Sequence, residues 1–210
     1  MLIKICGITR VEDAEAAVAC GANALGFVFW PKSPRFVDPF RARAIVSALP
    51  PFVTTVGVFV NQPAEHINGV ASLVGLGAVQ LHGDETPEFA ALMRRPVIKA
   101  IAMGGVGAGL GRPDIADWSE RVMILLDAHD PQQRGGTGQT IDWQQAAGVA
   151  GSRRVLLAGG LTPENVAEAV RHVRPFGLDV SSGVEASPGV KDHQKLRDLF
   201  HAINSHTTRS

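Results

Sequence analysis

The chain has few cysteines, no excess charge of either sign and no long apolar run. Its two cysteines, Cys6 and Cys20, in 210 residues are too few for the disulfide framework of a small secreted domain. Its 20 basic and 20 acidic side chains cancel, so no overall field attracts nucleic acid or an anionic membrane. No apolar run approaches the ~20 residues of a membrane-spanning helix, and the start lacks a signal-peptide layout. We therefore expect a cytoplasmic protein with neither nucleic acid nor a membrane as partner.

Apolar, β-branched runs recur along the chain with alanine-rich, helix-like segments between most of them. The runs cover residues 2–6, 24–29, 53–60, 78–81, 97–101, 122–127, 155–158 and 177–180. Strands that are hydrophobic throughout and alternate with helices are typical of a parallel sheet covered by helices. The length is at the lower end for a (β/α)8 barrel. The sequence therefore predicts an α/β protein, a single (β/α)8 TIM barrel over residues 1–202, followed by a polar C-terminal tail over 203–210.

The fifth unit lacks a normal helical segment. Residues 104–111 read GGVGAGLG, which is too glycine-rich for a stable helix, so we expect a degraded fifth helix with at most a turn over 113–119. An open doubly wound sheet is the alternative, but it binds its ligand near the first strand or the switch point. Here the glycine turns follow the seventh and eighth strands, which favours the barrel.

Four helix starts carry a capping signal. Thr9 and Glu12 form a capping-box pattern, whereas Asp38, Thr86 and Thr162 each precede a proline that suits the first helical position. We therefore expect helices to begin at these four points.

The seventh and eighth strands each run into a glycine turn, at 159–160 and at 181–183. Such turns present backbone N–H groups, and a following helix N-terminus adds partial positive charge. In TIM barrels a phosphate commonly binds at these two loops. The pair of turns predicts a small phosphorylated substrate.

Cys6 ends the first strand and is a candidate base. A nearby cation lowers the pKa of a thiol, and Lys4 lies on the same face of the strand. Asp179 on the eighth strand neighbours the first when the barrel closes, so we expect it to pair with Lys4. A small buried hydrophobic side chain is the alternative for Cys6 and the favoured interpretation of Cys20.

Three further strand-end or loop residues are candidates for the site. Asp127 ends the apolar sixth strand, where desolvation can raise the pKa of a carboxyl and make it a general acid; a loop or N-cap aspartate is the alternative. Arg35 lies in a loop restricted by prolines at 31 and 34 and could bind a substrate carboxylate or remain a solvated loop residue. His82 could orient the substrate or only cap its strand. No spacing of His, Cys and Asp indicates a metal site.

The chain resembles the phosphoribosylanthranilate isomerase family in a series of motifs from the first strand to the last helix. They are KICGIT at 4–9, GFVFWPKSPRFV at 26–37, VGVFVN at 56–61, VQLHGDE at 79–85, LLDA at 125–128, GGTGQTIDW at 135–143, LAGGLTPENV at 157–166 and DVSSGVEASPGVKD at 179–192. A glycine turn alone is weak evidence, because many phosphate-binding barrels have one. KICGIT, SPR, LHG and DVSSGVE in this order are highly specific.

The resemblance implies an Amadori rearrangement in tryptophan biosynthesis, without metal or cofactor. N-(5-phosphoribosyl)anthranilate would become 1-(2-carboxyphenylamino)-1-deoxyribulose 5-phosphate, the work of an aldose–ketose type isomerase. The resemblance implies Asp127 as general acid, Cys6 as general base and Arg35 as the ligand of the anthranilate carboxylate. It places the phosphate on the backbone of Gly138, Gly160, Ser182 and Gly183. His82 and Asp179 complete the candidate substrate site, and a monomer and a homodimer both remain open.

Other functions of such a barrel are alternatives. Indole-glycerol-phosphate synthase would be expected to have an N-terminal extension and a lysine–glutamate pair. A bifunctional sugar isomerase would need a second phosphate cradle, and no comparable glycine turn follows the third and fourth strands at 60–62 and 81–83. A non-catalytic phosphosugar-binding barrel would not need Cys6 and Asp127 together. A mechanism in which Cys6 is a nucleophile is a further alternative, and it would form a covalent adduct with the substrate.

Overall fold

The computed structural model describes residues 1–103, 115–128 and 142–207. For Ala128 and for residues 206–207 it describes the backbone alone. Its eight parallel strands close into a barrel in chain order, which confirms the predicted fold. The strands are β1 Leu2–Cys6, β2 Ala24–Val28, β3 Thr54–Phe59, β4 Ala78–Leu81, β5 Val97–Met103, β6 Met123–Ala128, β7 Val155–Leu157 and β8 Gly177–Val180. A hairpin of β9 Glu185–Ser187 and β10 Val190–Lys191 follows β8.

Helices cover the outside of the barrel. Those in the described part of the chain are α1 Val11–Cys20, α2 Pro39–Ser47, α3 Ala64–Val74, α4 Pro87–Ala90, α5 Trp143–Ala150, α6 Val166–Val173 and α7 His193–Thr207. The apolar faces of the helices pack on the outward side chains of the strands in one continuous core. None of the helices in the described ranges is long and apolar enough to cross a bilayer.

The fifth helix is absent from the described part of its unit. Residues 115–122 form turns, and residues 104–114 lie outside the described ranges. The Arg153 guanidinium donates hydrogen bonds to the carbonyl oxygens of Ile115, Trp118, Ser119 and Val122. The side chain of Arg153 therefore provides hydrogen-bond donors for carbonyl groups that accept no hydrogen bond within a described helix.

Two of the predicted helix starts are confirmed by their caps. The Asp38 carboxylate accepts a hydrogen bond from the Phe40 N–H at 2.8 Å, and the Thr86 hydroxyl accepts one from the Phe89 N–H at 3.3 Å. Both helices begin at the proline that follows the cap, as expected for a residue that needs no N–H partner.

The other two predicted starts are wrong. The Thr9 hydroxyl donates to the Gly189 carbonyl oxygen at 2.5 Å, and α1 begins after Arg10 without a side-chain cap. At the other site, α6 begins at Val166, because the Thr162 N–H donates to the Asn165 side chain at 2.8 Å and holds a turn before the helix.

The last helix continues beyond the predicted end of the barrel domain. Helix α7 runs over His193–Thr207 and buries Ile203, which is 3% exposed. Leu196, Leu199 and Phe200 precede it at helical spacing and are also buried, so this apolar stripe fixes the helix on the barrel. The boundary that we placed between 202 and 203 therefore falls inside a helix.

Candidate active site

A cleft opens at the carboxyl ends of the strands and holds about 690 Å³ of space, part of it open to solvent. Most of the residues that the sequence predicts for the site line this cleft: Cys6, Arg35, His82, Asp127, Gly160, Asp179 and Ser182. Gly183 follows Ser182 but is not among the lining residues, and Gly138 lies outside the described residues.

The floor of the cleft contains a buried ion pair beneath a thiol. Strands β1 and β8 pair in a register that sets Lys4 opposite Asp179, and the Lys4 ammonium donates to the Asp179 carboxylate at 2.8 Å. The predicted pair is therefore confirmed. A Cβ atom at position 26 would lie 2.7 Å from the Cys6 sulfur, so Gly26 on the next strand leaves the space that the thiol occupies.

The pKa of the Cys6 thiol differs from the prediction. Burial raises the pKa of the Cys6 thiol, and the charge of Lys4 offsets that effect only in part. For Lys4, burial acts to lower the pKa, but Asp179 and Cys6 outweigh it and leave the pKa above its ordinary value. The expectation of a lowered thiol pKa is wrong, because the closed barrel excludes water from Cys6. The ammonium beneath it remains charged.

Arg35 is held in a fixed position above Gly7. Its Nε and Nη2 atoms donate to the Glu185 carboxylate at 2.9 and 2.8 Å, and Lys191 donates to the same carboxylate at 2.9 Å. Burial acts to raise the pKa of Glu185, but Arg35 and Lys191 outweigh it and lower the pKa. A Cβ atom at Gly7, where φ is 78°, would lie 2.7 Å from Cδ of Arg35. Arg35 is therefore not a solvated loop residue.

His82 lies between Gln80 and Asp127. The His82 Nε2 atom is 3.2 Å from the Asp127 carboxylate, and its Nδ1 atom is 2.8 Å from the amide nitrogen of Gln80. In the tautomer with the ring hydrogen on Nε2, His82 donates to Asp127 and Nδ1 accepts from Gln80. His82 therefore has a definite neighbour in the site instead of only capping its strand.

The two glycine turns meet at one side of the cleft. Gly159 and Gly160 have φ of 83° and 61°, and among the described residues none accepts a hydrogen bond from the Gly160 N–H. The Asn165 amide donates to the Gly160 carbonyl at 2.8 Å and holds the first turn. A Cβ atom at Gly183 would overlap the Leu161 carbonyl oxygen, so only glycine allows the turns to pack this closely. The result is a concave wall that presents backbone donors.

The sequence interpretation missed several residues that shape this site. Gln80, Glu185 and Lys191 orient the predicted residues, and the Ser181 hydroxyl donates to the Cys6 carbonyl at 3.2 Å. Gln80 had a detectable signal, because it lies two positions before His82 in a strand and therefore on the same face. Glu185 and Lys191 lie in a hairpin beyond the strand end, where strand spacing gives no signal, and only their place in the motif at 179–192 indicated them.

The chain matches known proteins over nearly its whole length. The family of N-(5'-phosphoribosyl)anthranilate (PRA) isomerases matches residues 3–202. The N-(5'-phosphoribosyl)anthranilate isomerase of Citrifermentans bemidjiense is 50% identical over 198 residues, which cover 94% of each chain.

Solved structures of such isomerases share the fold. That of the Thermus thermophilus isomerase is 46% identical, with a TM-score of 0.88 over 98% of this chain and 99% of its own. Another, in complex with reduced 1-(o-carboxyphenylamino)-1-deoxyribulose 5-phosphate, is 44% identical, with a TM-score of 0.84 over 98% of this chain and 100% of its own. The chain belongs to the N-(5'-phosphoribosyl)anthranilate isomerase family.

Proposed function

We propose that Cys6 and Asp127 catalyse the Amadori rearrangement of N-(5'-phosphoribosyl)anthranilate in this cleft, Asp127 as acid and Cys6 as base. The reaction is an isomerisation in tryptophan biosynthesis, an internal oxidoreduction that leaves a ketone at C2 of the sugar. The roles follow the family resemblance, and one observation supports the proposal that these two residues act together. A thiol at the end of β1 and a carboxyl at the end of β6 face one cleft beside the wall of glycine turns.

Asp127 acts in the first half of the reaction. Its carboxyl gives a proton to the furanose ring oxygen, the bond from C1 to that oxygen breaks, and the nitrogen lone pair forms a Schiff base with C1. The His82 N–H, 3.2 Å from the carboxylate, holds Asp127 in position and stabilises the negative charge that remains after the transfer.

Cys6 acts in the second half. Its thiolate removes the proton from C2, and the electrons of that bond form the enolamine as the charge on nitrogen is neutralised. The enolamine then loses the proton of its C2 hydroxyl and gains one at C1, which completes the ketone. The Lys4 ammonium beneath Cys6 stabilises the thiolate, because opposite charges attract strongly in a buried site.

The remaining residues bind the two anionic ends of the substrate. Arg35 binds the anthranilate carboxylate, and the wall formed by Gly160, Ser182 and Gly183 binds the phosphate, with Gly138 as a further backbone donor. Asp179 contributes by keeping Lys4 charged and in place. Binding of the carboxylate and the phosphate thus positions C2 of the substrate near Cys6 and the ring oxygen near Asp127.

Arg35→Met is expected to raise KM about tenfold or more and to change kcat less, because it removes a charged hydrogen bond made to bound substrate throughout the reaction. Arg35→Lys is the matched control, because it keeps the charge but loses the planar fork of the guanidinium. Its KM should lie between that of the unchanged chain and that of Arg35→Met. The measurement is steady-state kinetics followed by loss of anthranilate fluorescence. An unchanged KM in Arg35→Met would contradict this role.

The same fluorescence assay tests the reaction itself with freshly generated substrate. Fast decay is expected in the unchanged chain, with or without EDTA, because the proposal assigns both proton transfers to side chains and needs no metal or cofactor. A chain that binds a phosphate ligand without any decay would contradict the proposal and would be a non-catalytic phosphosugar-binding barrel. A stoichiometric covalent adduct on Cys6 would instead support a nucleophilic thiol.

We further propose that the protein works in the cytoplasm on this small phosphorylated substrate, with no nucleic acid or membrane partner. A monomer and a homodimer are both open. Light scattering on the purified protein decides between them.

A further inference from the structure

Glu85 is a buried carboxylate at the ends of β3 and β4, outside the catalytic cleft. Its Oε1 atom accepts a hydrogen bond from the Asn61 N–H at 2.7 Å. Its Oε2 atom accepts from the Gly83 N–H at 2.8 Å and from the Lys99 ammonium at 2.9 Å. The side chains of Glu85 and Lys99 are 3% and 4% exposed. Among the described residues, the donors to this carboxylate are two backbone N–H groups and a lysine.

Two backbone N–H groups and an ammonium directed at one point form the donor set with which proteins bind a phosphate or a carboxylate. The donors are fixed before any ligand arrives. Asn61 has φ of 51°, a left-handed conformation that is unusual for a residue with a side chain. Lys99 also donates to the Gly83 carbonyl at 2.6 Å and lies 5.7 Å from the centre of the Trp118 ring. The Lys99 ammonium therefore has two contacts besides its ion pair with Glu85.

This group of donors lies across the barrel from the wall of glycine turns. In an eight-stranded barrel closed in chain order, β3 and β4 are opposite β7 and β8. The sequence indicated no second phosphate cradle here, because residues 60–62 and 81–83 have no turn like the one at 159–160. The backbone donors are nevertheless present, and the side chain of Glu85 fills the space between them.

We propose that Glu85 is the internal occupant of a second anion cradle, formed by the Asn61 and Gly83 N–H groups and Lys99, and that it restricts the barrel to ligands with one phosphate. A second phosphate would meet a carboxylate of like charge that the chain itself holds in place. This deepens the proposed function by naming what excludes substrates with a phosphate at each end. The binding test below does not depend on turnover, so a failure of this proposal can be distinguished from a failure of the proposed reaction.

Glu85→Ala is expected to bind one more inorganic phosphate per chain than the unchanged protein, by isothermal titration. The substitution leaves a charged ammonium and two N–H groups around an emptied space. Phosphate should raise the melting temperature of Glu85→Ala more than that of the unchanged chain, because a ligand that binds only the folded state stabilises it. In Glu85→Ala/Lys99→Met the extra site should bind phosphate at least about tenfold more weakly, since one charged hydrogen bond is lost.

Glu85→Gln is the matched control, because its carboxamide fills the same space and should leave no extra phosphate site. Equal phosphate binding by Glu85→Ala and the unchanged chain would overturn the proposal. An extra site whose phosphate affinity is unchanged by the addition of Lys99→Met would overturn it as well. If Glu85→Ala does not fold in phosphate-free buffer, recovery of the folded barrel in phosphate supports the cradle. Failure to fold in either buffer would show a purely structural ion pair and overturn it.

Discussion

Cys6→Ala is expected to lower kcat by ~10²–10⁴-fold with little change in KM, because a positioned general base typically contributes a factor of that size. The fold should tolerate the change: Cys6 packs in a small apolar cluster with Val28 and Val58, where alanine removes one sulfur atom. Cys6→Ser is the control for size. Its hydroxyl has no accessible anionic form near neutral pH, so the loss should be similar. Turnover within about threefold of the unchanged chain in either variant would reject the role of the thiol.

The pH dependence of thiol alkylation should reveal the raised pKa of Cys6. Because burial raises the pKa of Cys6, little thiolate exists in the free protein at neutral pH, and the fraction grows as the pH rises. We therefore expect the rate at which iodoacetamide alkylates Cys6, measured by mass spectrometry, to increase from neutral into alkaline solution. Cys6→Ala should lose this modification, which separates Cys6 from Cys20. An alkylation rate at Cys6 that does not change between neutral and alkaline pH would contradict the raised pKa.

Asp127→Asn is expected to lower kcat by a comparable ~10²–10⁴-fold. The carboxamide has nearly the same shape and can still accept a hydrogen bond from His82, but it cannot give a proton to the ring oxygen as an acid. Fluorescence kinetics measure the loss, and an unchanged melting temperature would show that the fold is intact. Near-normal turnover would mean that another group supplies the proton.

The double variant tests whether the two residues serve one reaction path. Groups that act on the same sequence of steps are strongly non-additive, so Cys6→Ala/Asp127→Asn should be little slower than the poorer single variant. Losses that multiply in full would indicate two residues that act independently.

Local patterns explain which parts of the fold could be predicted. Eight apolar runs located the strands, because buried parallel strands need hydrophobic side chains on both faces. The caps at Asp38 and Thr86 could be predicted because each bonds to residues two or three positions away. The cap at Thr9 failed for the opposite reason. Its hydroxyl bonds to Gly189, 180 positions along the chain, and no local pattern includes that contact.

The site also has features that the sequence predicts and features that it does not. The end of a barrel strand is a position in the sequence, so Cys6 and Asp127 could be selected before their surroundings were known. Closure of the strands in order placed Asp179 beside Lys4. The direction of the thiol pKa could not be obtained in this way, because it depends on how completely the packed barrel excludes water as well as on the nearby cation.

The sequence by itself determined the barrel, the strand ends that carry the candidate catalytic residues, the glycine turns and the family. Each of these depends on the order of residues along the chain. Only the tertiary structure decided the partners of the buried charges: Glu185 orients Arg35, Gln80 bonds to His82, and Glu85 occupies the donors at the ends of β3 and β4. The physical reason is that a buried charge must have a partner. Which residue becomes that partner depends on distances that exist only after the barrel has closed.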